Sequence, residues 1–138
     1  MERVQILELA TIIGAVIILS YIAIISVPVL QFIDITPDSS APTITVVGKQ
    51  WAWEFIYPNG TRSGELVIDR GQIVNLEIIS DDVIHSLYIR HLGFKLDAMP
   101  GRTNKSWLVV EEPGEYDIQC AEFCGLNHWA MRATLKVL

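Results

Sequence analysis

Near its C-terminus the chain reads Cys120-Ala121-Glu122-Phe123-Cys124-Gly125-Leu126-Asn127-His128-Trp129-Ala130-Met131, and His85 lies upstream in Asp82-Val83-Ile84-His85-Ser86. Two thiolates, two imidazoles and a thioether are soft and borderline donors, a set that suits copper better than calcium or magnesium. The chain contains 2 cysteines, and both fall in this motif. Cys124, His128, Met131 and His85 would already furnish a blue-copper site, which takes one Cys, two His and a weak axial Met. Cys120 is then surplus. Placed one turn of loop before Cys124, it can share its thiolate with a second metal, so the sulfurs can bridge two copper ions in a compact Cu₂S₂ diamond. Each ion would keep one histidine. The Met131 thioether and a backbone carbonyl, most simply that of Glu122, would complete the set as weak ligands. Such a centre spreads one electron over both metals with little change in geometry, which suits fast electron transfer.

Two readings without copper compete. A cysteine pair on an extracytoplasmic domain commonly forms a disulfide, although His128 and Met131 at ligand spacing argue for metal; oxidised, metal-free protein can carry the disulfide all the same. A zinc site takes Cys and His in tetrahedral sets without methionine. His91 stands outside the motif and is read as a solvated loop histidine, not a ligand.

The pattern Cys-x-Glu-x-Cys-Gly-x-Asn-His-x-x-Met, preceded by Ser80-Asp81-Asp82-Val83-Ile84-His85-Ser86, resembles the purple dinuclear copper site of cytochrome c oxidase subunit II. Gly48-Lys49-Gln50-Trp51-Ala52-Trp53 resembles the aromatic segment of that family, and the stretch from Leu92 to Arg102 resembles the segment between its histidine and its cysteines. The resemblance implies a cupredoxin-like Greek-key β-sandwich with copper on His85, Cys120, Glu122, Cys124, His128 and Met131. It implies that electrons arrive from cytochrome c or another donor protein through an exposed tryptophan, matched here by Trp51, and pass to haem in catalytic subunit I of a proton-translocating haem-copper oxygen reductase. It also implies a magnesium site shared with that subunit through the Glu122 carboxylate, and partner contacts near the haem propionates from Asp97 and Arg102. Two rival functions are a free-standing, membrane-tethered copper carrier and a quinol oxidase subunit that has lost its copper. The Glu122, Asp97 and Arg102 segments weigh against the first, and the intact ligand set weighs against the second.

From Leu9 to Ile33 the chain has no charged residue and is rich in Ile, Leu, Val and Ala, long enough to cross a bilayer as a helix. A signal peptide fits badly, because an acid accompanies the base in Met1-Glu2-Arg3-Val4, the apolar run is too long and no small-x-small site precedes Asp34. Arg3 before the span, with Asp34 and Asp38 after it, favours a cytoplasmic N-terminus. Pro28 is expected to kink or end the helix. The polar stretch from Thr36 to Pro42 serves as a linker. The expected plan is therefore 1–35 anchor, 36–42 linker and 43–138 copper domain, in the cell membrane of a prokaryote with the copper domain on the extracytoplasmic side. Two membrane helices are usual in the resembled family, so one span implies a reduced prokaryotic form.

Beyond Pro42 apolar residues alternate with polar ones, as in Val74, Leu76 and Ile78 and in Met131, Ala133, Leu135 and Val137, which is half-buried strand periodicity. Further strands are expected over Thr43 to Val47, Trp51 to Tyr57, Glu65 to Asp69, His85 to Arg90, Ser106 to Val110 and Glu115 to Gln119. Turns fall at Pro58-Asn59-Gly60, Arg70-Gly71, Pro100-Gly101 and Pro113-Gly114. Many short strands punctuated this way indicate an antiparallel sandwich, with Cys120 closing one strand and Met131 opening the last. No internal repeat appears. The formal net charge is −6, with acids at Asp81, Asp82, Glu111, Glu112, Glu115 and Asp117, which fits a basic donor protein or a merely solubilising surface and not nucleic acid. Asn59-Gly60-Thr61 and Asn104-Lys105-Ser106 match glycosylation acceptors, a pattern common by chance.

Overall fold

The structure is a computed structural model describing residues 2–34 and 37–138. The expected junction between anchor and linker, at Ile35 and Thr36, lies outside the described residues. Contacts divide the chain into two compact units, Met1–Ile35 and Thr36–Leu138.

In the first unit a single helix, α1, spans Arg3–Asp34. Its stretch Arg3–Phe32 is long and apolar enough to cross a membrane. Large apolar side chains such as Ile12, Leu19, Tyr21 and Ile24 are exposed along its whole length, whereas a surface helix of a water-soluble domain shows one apolar stripe and one polar face. Pro28 lies inside the helix and does not end it. Proline removes one N–H and frees one carbonyl, but every backbone group in an apolar medium needs an internal partner, so the flanking turns favour continuing the ladder.

Among its described residues the second unit contains ten strands: β1 (Thr43–Lys49), β2 (Ala52–Ile56), β3 (Arg62–Ser63), β4 (Glu65–Ile68), β5 (Val74–Ser80), β6 (His85–Ile89), β7 (Phe94–Ala98), β8 (Asn104–Leu108), β9 (Gly114–Cys120) and β10 (Arg132–Val137). They form two five-stranded sheets, ordered β3-β2-β1-β5-β8 and β4-β10-β9-β6-β7. Alternation does what the sequence suggests: Val74, Leu76, Ile78 and Ser80 are buried along β5 while Asn75, Glu77 and Ile79 are less so. Inward side chains from both sheets, among them Phe55, Leu66, Leu76, Leu87, Ile118 and Leu135, share one core. Each such side chain contributes about 1.5–3 kcal/mol on burial, which holds the sheets face to face as a β-sandwich.

Two ladders depart from the expected antiparallel order. β1 runs parallel to β5, and β10 runs parallel to β4. Strand periodicity specifies which residues face inward but not which strand lies alongside or in which direction. Parallel neighbours need a long crossover, and here the chain leaves the first sheet after β1, β2 and β3, forms β4 in the second, and returns as β5. Two strands were not anticipated, the two-residue β3 and β7, although Phe94, Leu96 and Ala98 do alternate in the latter. His91 lies exposed on a short 3₁₀ turn, Arg90–Leu92, rather than on an irregular loop.

Candidate metal centre

Three pieces of backbone converge at one end of the second sheet. β9 ends at Cys120; β10 begins at Arg132, one residue later than expected, because the Met131 N–H still donates to the His128 carbonyl of a 3₁₀ turn. The loop between them is pinned at its base, where the Cys120 N–H donates to the Met131 carbonyl at 3.1 Å. β6, paired with β9 so that Leu87 faces Cys120, starts at His85. The ladder register thus brings His85, Cys120 and Met131 together before any metal is considered.

Within this frame one ligand atom from each of His85, Cys120 and Cys124 lies within 4.8 Å of the others. Both cysteines are free, with their sulfurs 3.7 Å apart. His85 Nδ1 is 3.9 Å from the Cys120 sulfur, and His128 Nδ1 is 3.5 Å from that of Cys124. Met131 Sδ lies 3.7 Å from the Cys124 sulfur, and the Glu122 carbonyl accepts from the Cys120 thiol at 3.2 Å. All six residues singled out in the sequence therefore meet in one cluster. Cys120, Cys124 and Met131 also belong to the apolar core, and His85 is fully buried. Burial first, then the hydrogen bond and charge of Cys120, pushes the Cys124 thiol up to about 12.

The residues around these donors explain their aim. His85 Nε2 meets Asp82 Oδ1 at 2.7 Å. Burial raises the Asp82 carboxyl, but hydrogen bonds from His85 and from the Gln50 and Val83 N–H groups outweigh it and bring it down to about 2. An ionised carboxylate only accepts, so Nε2 carries the proton and the Nδ1 lone pair is left facing the sulfurs. Asp82 is thus an orienting group rather than one more surface acid, and Asp81 is paired with Lys49 at 3.2 Å. Spacing was the available signal, since Asp82 stands three residues before His85 in a turn leading into a strand.

Trp53 packs its ring against His85 edge-on, 5.9 Å between centroids. Gly48 makes room for both rings: a Cβ there would lie 3.0 Å from His85 Cδ2 and 3.1 Å from Trp53 Cζ3. Both rings are buried, so Gly48→Ala is expected to cost roughly 1–3 kcal/mol, in the range of core overpacking, and to displace the His85 imidazole. Thermal melting together with the His85 ring NMR shifts checks this; an unchanged melting temperature and unmoved ring signals would show that the rings have slack.

Other anticipated residues fall around the cluster. Trp51 precedes β2 instead of opening it, is half-buried against the core, and carries a buried indole Nε1 without an acceptor among the described residues. Glu122 is exposed. Asp97 lies on β7 opposite Ser86, with Lys95 at 3.3 Å. Arg102 is exposed beside the Pro100-Gly101 turn. Of the two glycosylation patterns, Asn104 spends its amide on the Asp97 carbonyl at 2.7 Å. The acids on β9 are partly offset, Asp117 by Arg132 and Glu115 by Lys136.

Residues 61–138 match the family model of the cytochrome c oxidase subunit II periplasmic domain. A probable cytochrome c oxidase subunit 2 of Rickettsia bellii is 35% identical over 146 residues, covering 89% of this chain and 54% of that protein. The chain therefore spans about half the length of that relative. The cytochrome c oxidase subunit 2 of Rhipicephalus sanguineus is 35% identical over 159 residues, covering 99% of this chain and 70% of that one. Among solved structures, the periplasmic domain of subunit II of cytochrome oxidase from Bradyrhizobium japonicum superposes with a TM-score of 0.69 at 30% identity, covering 75% of this chain and 88% of that one. With the matched segment running through every cysteine, histidine and methionine of the cluster, this chain belongs to the cytochrome c oxidase subunit II family.

Proposed function

We propose that this chain is the electron-accepting subunit of a membrane haem-copper oxygen reductase of the cytochrome c oxidase type. The observation that carries the reading is the pair of unlinked sulfurs 3.7 Å apart, each with an imidazole Nδ1 of its own nearby, that of His85 at 3.9 Å from Cys120 and that of His128 at 3.5 Å from Cys124. The donors fit copper: thiolate, imidazole and thioether are its preferred ligands, and the buried Met131 sulfur turned towards Cys124 has no use in a Cys and His zinc site. Two metal ions would be held by both cysteines, with His85 on one and His128 on the other, and with Met131 and the Glu122 carbonyl as weak ligands. A bound copper pair supplies a one-electron carrier that reorganises little when reduced.

The chain's own residues prepare that site. Asp82 holds His85 in the tautomer that can ligate, the β6, β9 and β10 ladders set the spacing, and the surrounding core excludes water. Cysteine ligates as thiolate, so the burial that raises the Cys124 thiol makes proton release part of metal uptake.

Partners follow from the surface. Phe123, Leu126 and Trp129 are 77%, 89% and 76% exposed on the ligand loop itself, and such an apolar cluster is characteristic of a face that meets another protein. The proposed occupants are catalytic subunit I, which holds the haems, and a donor such as cytochrome c, with Trp51 beside the ligand loop as the contact for the incoming electron. Glu122, with Asp97 and Arg102, is proposed to face the catalytic subunit, Glu122 with a shared magnesium ion. α1 is proposed to anchor the chain in the cell membrane of a prokaryote as a single span, N-terminus in the cytoplasm and copper domain outside.

Paramagnetic resonance of the copper-loaded chain is expected to show one unpaired electron coupled to two similar copper nuclei. A single-copper spectrum would remove the dinuclear reading. Gentle solubilisation separates the rival: haem bands co-purifying with the chain favour the oxidase, and a haem-free copper protein favours a free-standing tethered carrier.

A further inference from the structure

We infer that Gln50 is a positioning residue, tying the middle of the ligand loop to the support of His85 across the two sheets. It sits in the turn joining β1 and β2 of the first sheet, whereas His85 and Cys120 lie on strands of the second and Met131 immediately precedes another. Its backbone N–H donates to Asp82 Oδ2 at 2.7 Å, and the other oxygen of that carboxylate holds His85 Nε2 at 2.7 Å. Its side-chain Nε2 donates to the Cys124 carbonyl, again at 2.7 Å and partly buried. One residue therefore joins His85, through Asp82, to Cys124.

The loop needs such a tie. Cys120 and His85 are spaced by the β6–β9 ladder, and the base of the loop is closed by the Cys120 N–H to Met131 carbonyl bond. The Ala121 N–H still donates to the Ser86 carbonyl of β6 at 2.9 Å, but Cys124 and His128 lie beyond it, where the backbone bonds, such as that of the His128 N–H to the Gly125 carbonyl, stay within the loop among the described residues. The Gln50 amide reaches this middle section from the opposite sheet. Gly125 supplies a second, independent observation: its φ is +119°, and a Cβ there would lie 2.9 Å from Gln50 Nε2 and 3.3 Å from Trp51 Nε1. The absence of a side chain at Gly125 leaves the space that the amide and the neighbouring indole occupy.

The inference rests on the copper reading for its purpose, but its first test needs no metal. In the full-length chain in detergent, Gln50→Leu removes the donor with an apolar side chain one atom shorter, while leaving the backbone bond to Asp82. Amide hydrogen exchange over residues 124–128 is expected to rise roughly 2- to 10-fold, the scale of one lost hydrogen bond, with the strand amides of both sheets unchanged. Gln50→Lys, which restores a donor to the same carbonyl, is expected to return slow exchange. After loading, copper should pass to a competing chelator several-fold faster from the Leu variant, with altered copper hyperfine splitting. Unchanged exchange in Gln50→Leu, a rise spread evenly over both sheets, or Leu and Lys variants that behave alike would each overturn the tie. Raised exchange with unaltered copper release would overturn its role at the centre. If the unmodified chain takes up no copper pair, the copper reading falls instead, while the exchange result stands by itself.

Discussion

Cys120→Ser is expected to abolish the two-copper spectrum altogether, lowering bound copper from about two ions per chain to one at most. Serine keeps the size of the side chain, so the metal-free fold should survive, but its hydroxyl is a hard donor that does not bridge two soft ions. What remains, Cys124, His128, His85 and Met131, is the complement of a single blue-copper site. Met131→Leu should be far milder. Leucine conserves the volume of a buried residue, at a cost below about 1.5 kcal/mol, and an axial thioether mainly tunes potential. Metal analysis and paramagnetic resonance on both variants give the ranking. Copper loss in Met131→Leu as complete as in Cys120→Ser would mean that the thioether is a structural ligand and that the assigned roles are wrong.

In the proposed oxidase, Trp51→Phe is expected to slow reduction of the copper by the donor protein by roughly tenfold or more, about 1.4 kcal/mol of barrier, while later transfer to the partner's haem is unaffected. The indole lies half-buried against the core, with Nε1 3.3 Å from where a Cβ on Gly125 would stand, so it lies beside the residue that follows Cys124. Trp53, two residues on, is 3% exposed and packs on His85 instead. The shared alternation of the two tryptophans therefore conceals different positions, one at the edge of the core and one within it. Phenylalanine preserves an aromatic plug, so the copper spectrum and melting temperature should hold. Stopped-flow mixing with the donor, followed separately at copper and haem wavelengths, resolves the two steps. Unaltered donor oxidation in a fully metallated variant would take Trp51 out of the pathway and leave it a packing residue.

Much of this molecule is legible in one dimension, for local reasons. An uncharged run of Ile, Leu, Val and Ala has no stable home in water, so the apolar helix could be read before its geometry was known. Period-two alternation identified most strands to within a few residues, because it directly reflects which face meets the core. The ligand set was legible for a different reason: Cys120, Cys124, His128 and Met131 lie within one loop, where sequence spacing already approximates distance in space. His85 is a more distant member, 35 residues upstream of Cys120. The donor count of a copper site called for a second histidine and the resemblance agreed, but only the β6–β9 ladder places it beside Cys120.

What the sequence alone determined, then, were the identities of the candidate donors, the apolar helix and the inward faces of the strands, all properties of neighbouring residues. Tertiary structure decided the rest. The parallel pairings of β1 with β5 and β10 with β4 depend on crossovers between sheets, which alternation does not encode. Asp82 changed from a surface acid to the group that orients His85, and Gln50 from an unremarked polar residue to a link between segments, because each hydrogen bond is made at its particular distance and angle. The bond from Gln50 to Cys124 spans 74 positions of the chain. No residue pattern announces a contact of that range, because it exists only once two sheets have packed and brought their loops to the same end.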